Sequence, residues 1–514
     1  MRSYGALYKA KKGDGMAEDL TPVLVGAAQF SERRFEPPAA YEPLALMART
    51  AERAAEDAGG GRRLLESVDD LAVVSIVSWQ YKNLPRAVAE KLGLNPEREV
   101  ITAVGGNTPQ WLVNQFARRI REGKTRAALL TGAEAVYTRR RVARAGGTPP
   151  WSQGAEGTPV MVGDDRPGLS PLELAHGLNR PTSVYPLFEN AWRARRGLNM
   201  ADHRRHMGRL MSRLTAVAAH NPYAWFKEEK TPEEITTVSA DNRMISFPYA
   251  KRMNAIMDVN QSASVILTSV SHARALGLPQ DRWVYWWGGG EAAADPWFVS
   301  ERPEFYTSPS LGLSAAGALA EAGLGVDEIN FFDLYSCFPC AVEIACDMIG
   351  LGPDDPRPVT VTGGLPYAGG PGNNYTMHAI AAAMDLLRKK PEDKALITAN
   401  GMYLSKHAAG VYSGRPKEPG PKRQTPAPSP AANSPLPPAQ DAGGRGAIET
   451  YTVVHDREGA PETGIVLGRL SDGRRFLAQT PPERDLLEDL MRTEAIGRTG
   501  NVSRQDGRFR FDPA

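Results

Sequence analysis

Apolar and polar positions along this chain follow two periods in turn. Pro22-Val23-Leu24-Val25-Gly26-Ala27-Ala28 is a continuous apolar run, the pattern of a buried strand. Leu44 to Ala58 places apolar residues at helical spacing and stops at Gly59-Gly60. Strand-like and helix-like segments keep alternating to about Tyr137, which predicts a parallel or mixed sheet covered by helices. From Thr138 to Ser239 the alternation breaks. That stretch holds Pro149-Pro150, Trp225-Phe226 and two helical runs, Ala191 to Leu198 and Met200 to Ala219, and reads as an insertion. The strand pattern resumes at Ser264-Val265-Ile266-Leu267-Thr268-Ser269.

The pattern also repeats. Gly105-Gly106-Asn107 opens an apolar-periodic run to about Arg121, followed by the strand-like Ala127-Ala128-Leu129-Leu130-Thr131. Gly369-Gly370-Pro371 opens a second run, to Leu387, followed by Ala395-Leu396-Ile397-Thr398. Upstream, Val68-Asp69-Asp70-Leu71-Ala72-Val73-Val74 matches Val326-Asp327-Glu328-Ile329-Asn330-Phe331-Phe332. A helical run ending in Gly-Leu follows each, at Gly93-Leu94 and Gly350-Leu351. Strand, helix, Gly-Gly turn, helix, strand thus occurs twice, which predicts two equivalent structural units.

Ser413 to Gly444 is dense in Pro, Ala, Gly and Ser and reads as a linker. Beyond it, Ile448 to Val454 alternates as a strand. Gly464 to Leu470, Ser471-Asp472-Gly473 and Arg475 to Ala478 read as strand, turn, strand. A small β-barrel of OB type, separable from the rest, is the expectation for this tail.

Composition narrows the function classes. A net charge of +2 over 514 residues argues against nucleic acid as the main partner. The basic clusters Arg139-Arg140-Arg141 and Arg204-Arg205-His206 read as solvated faces that could also meet phosphates. No apolar run reaches membrane-spanning length, so no membrane insertion is expected. Met1 to Gly15 lacks the apolar core of a secretory signal and reads as an extension. Three cysteines make no disulfide scaffold, and a cytoplasmic protein is the default.

The most informative motif is Thr362-Gly363-Gly364-Leu365-Pro366-Tyr367-Ala368-Gly369-Gly370-Pro371-Gly372-Asn373-Asn374-Tyr375. Its glycines let backbone N–H groups approach a ligand, and the helix that follows aims its dipole there. The motif resembles the loop of thiolases in which two glycines precede a Gly-His-Pro. With the repeat and the appended barrel, the chain is similar to type-1 thiolase-like proteins of the thiolase superfamily. That resemblance implies an α/β fold, a duplicated five-layer thiolase fold of two βαβαβαββ halves with an inserted loop domain and a C-terminal small β-barrel. It divides the chain into an N-terminal extension (1–21), a first half (22–137 plus 240–275) and a loop domain (138–239). A second half (276–412), a linker (413–444) and the OB-type barrel (445–514) follow. Asp258-Val259-Asn260-Gln261-Ser262-Ala263 resembles the turn by which thiolases re-enter the first half.

A thiolase needs a cysteine nucleophile, a histidine, a second cysteine and an oxyanion hole. The resemblance puts the nucleophile in Gly105-Gly106-Asn107-Thr108-Pro109, yet no cysteine precedes Cys337. The histidine position reads Gly370, and the turn Thr398-Ala399-Asn400-Gly401 lacks the second cysteine. Thr108 is a poor substitute nucleophile. Related sterol-carrier thiolases carry His-Asp-Cys-Phe where this chain reads Tyr335-Ser336-Cys337-Phe338. Tyr335 and Tyr367 are therefore candidate catalytic groups, as in thiolase-like steroid side-chain aldolases. Both also fit as packing rings. His378 is the imidazole nearest in sequence to the missing one and is the third candidate. His407, in a Gly-flanked loop, reads as structural. Cys337-Phe338-Pro339-Cys340 has zinc or redox spacing, but Cys346 alone completes no ligand set, so packing thiols and no metal are expected.

Gly105, Gly106, Asn107, Gly369, Gly370 and Asn373 are the expected contacts for coenzyme A (CoA) or acyl-CoA. CoA is expected as ligand or substrate, with no tightly bound cofactor. By family the activity would be that of an acetyl-CoA acetyltransferase, an acyltransferase of lipid metabolism, yet ordinary thiolase activity is expected to be absent. The other readings are a tyrosine-dependent acyl-CoA lyase (retro-aldol) or divergent acyltransferase, and a scaffold whose barrel docks a lipid-metabolism partner. Monomer and homodimer both stay open.

Overall fold

The two sequence repeats build the two halves of one large sheet. The computed structural model describes residues 19–33, 41–352, 355–418 and 434–514. In chain order the first strands are β1 (Pro22–Ser31), β2 (Asp70–Val73), β3 (Arg98–Thr102), β4 (Ala127–Ala135) and β5 (Val160–Val162). Next come β6 (Met244–Ser246), β7 (Tyr249–Ala250), β8 (Asn260–Ser269), β9 (Val284–Ala292), β10 (Phe331–Asp333), β11 (Lys394–Gly401) and β12 (Lys406–Ser413). The tail adds β13 (Gly444–His455), β14 (Pro461–Leu470), β15 (Arg475–Gln479), β16 (Thr499–Gln505) and β17 (Arg508–Pro513).

The large sheet runs β10-β11-β12-β9-β1-β8-β4-β2-β3-β5. Its pseudo-symmetric centre is the antiparallel contact of β1 with β9, at Val23–Tyr285 and Leu24–Val284. Outward from it the halves match. β1 with β8 and β9 with β12 are antiparallel, as are β8 with β4 and β12 with β11. β4 with β2 and β11 with β10 are parallel. The place of β3 in the second half is taken by Pro358 and Val359, whose carbonyls accept the N–H groups of Phe332 and Leu334.

Helices cover both halves in the same way. Pro43–Asp57 packs on β1 and β8, and Pro309–Ala322 packs on β9 and β12. The helices after the Gly-Gly turns, Thr108–Arg121 and Tyr375–Lys389, touch each other and strands of both halves. The layers are therefore helix, sheet, helix, sheet, helix, the duplicated thiolase architecture. The central pair shares one apolar core, in which Leu112, Val113 and Phe116 meet Met377, Ile380 and Met384.

Polar side chains cross this core between halves. Asn374 Nδ2 donates to the Gly132 carbonyl of β4 at 2.7 Å. Asn114 Nδ2 donates to the Ala409 carbonyl of β12 at 3.1 Å. Asn114 Oδ1 accepts from Trp286 Nε1 at 3.1 Å and Gln110 Nε2 at 2.9 Å.

Two segments expected as turns are strand instead. Asn260 to Ala263 begins β8, and Thr398 to Gly401 ends β11. Their polar side chains suggest a turn, but they are buried and many are bonded: Gln261 Nε2 donates to the Ala368 carbonyl at 2.7 Å.

The insertion does not stand apart. β5 pairs with the edge strand β3, and β6 and β7 extend the sheet of the tail beside β13. Residues 244–250, expected within the first half, thus lie against the barrel. They cover backbone groups that an open edge would leave unpaired.

The tail closes into a five-stranded barrel, β13-β14-β15-β17-β16, with β16 returning to β13. Leu487 and Leu490 of the helix Arg484–Arg492 join its core. The barrel also contacts the insertion. Asn190 Nδ2 donates to the Tyr451 carbonyl at 2.9 Å, and Thr450 Oγ1 donates to the Leu187 carbonyl at 2.6 Å. Buried Arg193 pairs with Glu494 at 2.6 Å. Of the expected linker, 419–433 lies outside the described residues, as do 1–18 of the N-terminal extension. The linker's far end is tied down: Leu436 N–H meets the Glu301 carbonyl and Ala439 N–H the Arg475 carbonyl.

Asn114→Ala removes the partner of three buried polar groups at once. Each unmet group costs about 1–3 kcal/mol. Urea unfolding is expected to show a loss of about 2 kcal/mol or more. A loss under about 0.5 kcal/mol would mean that the cross-link carries no weight.

Candidate functional site

Two glycine-rich loops meet where the halves face each other. Gly105-Gly106-Asn107 enters the helix Thr108–Arg121, which carries Pro109 in its first turn. Gly369 to Asn374 enters the helix Tyr375–Lys389. Asn373 joins the loops: its Oδ1 accepts Gly105 N–H at 2.9 Å and its Nδ2 donates to the Ser75 carbonyl at 2.8 Å. Gly369 has a φ of +114°, and a Cβ there would stand 2.3 Å from Gln261 Oε1, so only glycine fits. Gly370 N–H is held by the Ile256 carbonyl at 2.8 Å. The amides of Gly105 and Gly370, expected to meet a ligand, are therefore bonded within the protein. Asn107 Oδ1 is buried without a hydrogen-bond partner among the described residues.

Tyr335 follows β10, and Asn400 lies near the end of β11. Both reach the first loop. A Cβ built on Gly106 would stand 2.1 Å from Tyr335 Oη and 2.6 Å from the Asn400 carbonyl. The space of a side chain at Gly106 is thus filled by the Tyr335 phenol. That ring meets Tyr375 edge-on, with centroids 5.5 Å apart. Burial, then the neighbouring Cys337, raises the Tyr335 pKa. At neutral pH the phenol is a hydrogen-bond donor and not a base.

Several supporting residues were not singled out by sequence. Asp333 ends β10 and braces the second loop: Oδ2 accepts from Thr360 Oγ1 and Val361 N–H, each at 2.9 Å, and Oδ1 from Tyr375 Oη at 3.0 Å. Burial outweighs these bonds and lifts its carboxyl to about 6. Glu134 in β4 accepts Val77 and Ser78 N–H at 2.7 and 2.8 Å, and burial lifts it to about 7. Asn400 Nδ2 donates to Tyr185 Oη at 2.9 Å, and Tyr185 stacks on Phe338 at 4.4 Å. A strand ending in a buried acid was the available signal for Asp333. Glu134 and Tyr185 carry none.

Tyr367 sits elsewhere, in a cavity of ≈ 390 Å³ between the insertion and the second loop. Arg33, Phe226, Lys230, Lys251 and Arg252 line it as well. The Arg33 guanidinium lies 5.0 Å from the Phe226 ring centroid. The cavity wall is tied to the loops: Ala255 N–H bonds the Cys337 carbonyl and Ile256 N–H the Leu365 carbonyl. Tyr367 Oη is buried without a hydrogen-bond partner among the described residues, and burial raises its pKa. Tyr335 does not line this cavity. A wider cleft of ≈ 830 Å³ runs between the helices Met200–His220 and Tyr375–Lys389, and Tyr335 does not line it either.

His378 faces β1. Its Nδ1 lies 3.0 Å from Gln29 Oε1, and burial holds the imidazole at about 3. It is neutral at physiological pH, and no hydrogen bond joins it to Tyr335 or Tyr367 among the described residues. The three candidate catalytic groups are thus spread over separate surroundings. His407 Nε2 lies 3.0 Å from the Leu404 carbonyl and 3.1 Å from Ser308 Oγ. Cys337, Cys340 and Cys346 are free thiols, and burial pushes Cys337 up to about 12.

The comparisons with known proteins fit this geometry. A family model described as the thiolase-like protein type 1 additional C-terminal domain matches residues 426–508. No curated protein matches the chain. The crystal structure of a monomeric SCP2-thiolase like protein type 1 from Mycobacterium smegmatis is 36% identical. That match covers 96% of this chain and 99% of the other, with a TM-score of 0.81. The Ltp2-ChsH2(DUF35) aldolase is 19% identical over 77% of this chain and 98% of its own, with a TM-score of 0.59. An acetyl-CoA acetyltransferase from Syntrophomonas wolfei is 16% identical over 77% of this chain and 100% of its own, with a TM-score of 0.54. Those two share the fold alone. No described helix is long and apolar enough to cross a membrane. With its level of identity sustained over nearly the whole length, the chain belongs to the SCP2-thiolase-like type 1 proteins of the thiolase superfamily.

Proposed function

We propose that this protein binds CoA or an acyl-CoA thioester and does not run thiolysis or Claisen condensation through a cysteine. The ≈ 390 Å³ cavity carries the first part. Arg33, Lys251 and Arg252 suit the phosphates of such a ligand, while Glu228 and Asp241 also line the cavity and Lys230 pairs with Glu228. Tyr367 brings an unpartnered hydroxyl that could donate to a thioester carbonyl. The filled space at Gly106 supports the second part. No nucleophilic side chain fits there while Tyr335 stays in place.

A second reading rests on the same Tyr367 hydroxyl. Buried and protonated beside the cavity, it could donate its proton to the enolate formed when a 3-hydroxyacyl-CoA gives up its hydroxyl proton to water and its Cα–Cβ bond breaks, leaving an aldehyde or ketone and a shorter acyl-CoA. The barrel packs on the helix Pro181–Arg195 through β13.

Calorimetry with CoA is expected to show saturable, salt-sensitive binding. The double variant Lys251→Ala/Arg252→Ala should weaken it about tenfold or more, as loss of charge-assisted contacts demands. Unchanged affinity would place the ligand elsewhere.

Acetoacetyl-CoA thiolysis with free CoA should stay at the uncatalysed background. Turnover near about one per second would show a nucleophile that this geometry does not contain.

Tyr367→Phe separates the two readings. Binding is expected to persist in both. If a 3-hydroxyacyl-CoA is cleaved at all, the variant should lose about a hundredfold or more in kcat. Equal cleavage by both proteins would remove Tyr367 from the chemistry.

A further inference from the structure

A second polar centre lies outside the glycine-rich loops. Glu189 comes from the helix Pro181–Arg195, His203 from Met200–His220 and Glu343 from Pro339–Ile349. One oxygen or nitrogen from each lies within 4.8 Å of the others. The three residues are 0%, 1% and 4% exposed. His203 Nε2 lies 2.5 Å from Glu189 Oε1, and Tyr249 Oη donates to Glu189 Oε2 at 2.5 Å.

Glu343 is the odd member. Among the described residues, neither of its buried carboxyl oxygens has a hydrogen-bond partner. His206 Nε2 stands 3.3 Å from its Oε1, one helical turn beyond His203. A cavity of ≈ 240 Å³ lined by Glu343 and His206 gives access, with exposed Arg196 among its walls.

Two carboxyl groups, Glu189 and Glu343, lie close together and both are buried. Such a pair needs a proton or a cation between its members. A divalent ion neutralises both carboxylates at once. Imidazole with carboxylate is a ligand set of first-row transition ions, whereas Mg²⁺ and Ca²⁺ favour oxygen alone. Tyr249 already orients Glu189 as an outer partner would.

We propose that Glu189, His203 and Glu343 bind a divalent first-row transition ion. The ion would staple the insertion to the second half of the fold. Its ligands are scattered over residues 189 to 343 and sit on three helices, so no sequence spacing announces them. This is why none was expected from the chain.

The test is a Co²⁺ titration of the full-length protein after treatment with a chelator. Visible absorption follows binding, Zn²⁺ is the competitor, and melting is compared in Zn²⁺ and in EDTA. A saturable d–d band that Zn²⁺ displaces is the expected result. The melting temperature should rise with Zn²⁺ as mass action requires. Tyr249→Phe keeps the ring and should weaken affinity about 10–100-fold. Glu343→Gln should abolish the band while remaining folded in EDTA, and if it does not fold, Tyr249→Phe decides. Absence of both band and melting shift would overturn the proposal and leave a shared proton between the carboxyls. A band unchanged in both variants, or one with the charge transfer of a Cys340 or Cys346 thiolate, would overturn it too.

Discussion

The central helix pair is enclosed by sheet on both sides, and that enclosure governs what the surrounding residues must be. Polar groups buried there call for protein partners. Side-chain amides meet the need. Asn114 reaches the Ala409 carbonyl in one half, and Asn374 reaches the Gly132 carbonyl in the other. Asn373 then ties the loops themselves together. The halves are held by shared obligations as much as by apolar contact.

The same enclosure explains the chemistry of the loops. Carboxyls and phenols drawn into it lose solvation, so Asp333 and Glu134 rise toward neutrality and Tyr335 keeps its proton. Their bonds are structural: Asp333 holds Val361 and Tyr375, and Glu134 holds Val77 and Ser78. The Tyr335 hydroxyl plugs the space over Gly106. Groups of catalytic type thus serve as braces of the loops, apart from the cavity that Tyr367 lines.

Much of the fold was legible because its period was local. The run before Arg121 and its copy before Leu387 gave away the central helices, and both are present as Thr108–Arg121 and Tyr375–Lys389. Gly93 and Gly350 end matching helices in the left-handed conformation. Where polarity misled, burial was the cause. Gln261 and Asn400 read as turn residues, yet each is a buried strand residue with a distant partner. The site was less legible. That Tyr335 faces Gly106, or that Tyr367 lies apart from it, depends on contacts across more than a hundred residues, and no spacing encodes them.

The seam between the helix Pro181–Arg195 and the barrel has a further consequence, for the ribosome. That helix is buried on nearly every side, partly by Tyr451, Thr450 and Glu494. Its cover lies at the far end of the chain. At the usual pace of synthesis it waits on the order of tens of seconds, its apolar flank bare, before the barrel emerges. During that interval the nascent chain presents a surface that a chaperone would recognise. The barrel's arrival therefore completes the cover of that helix.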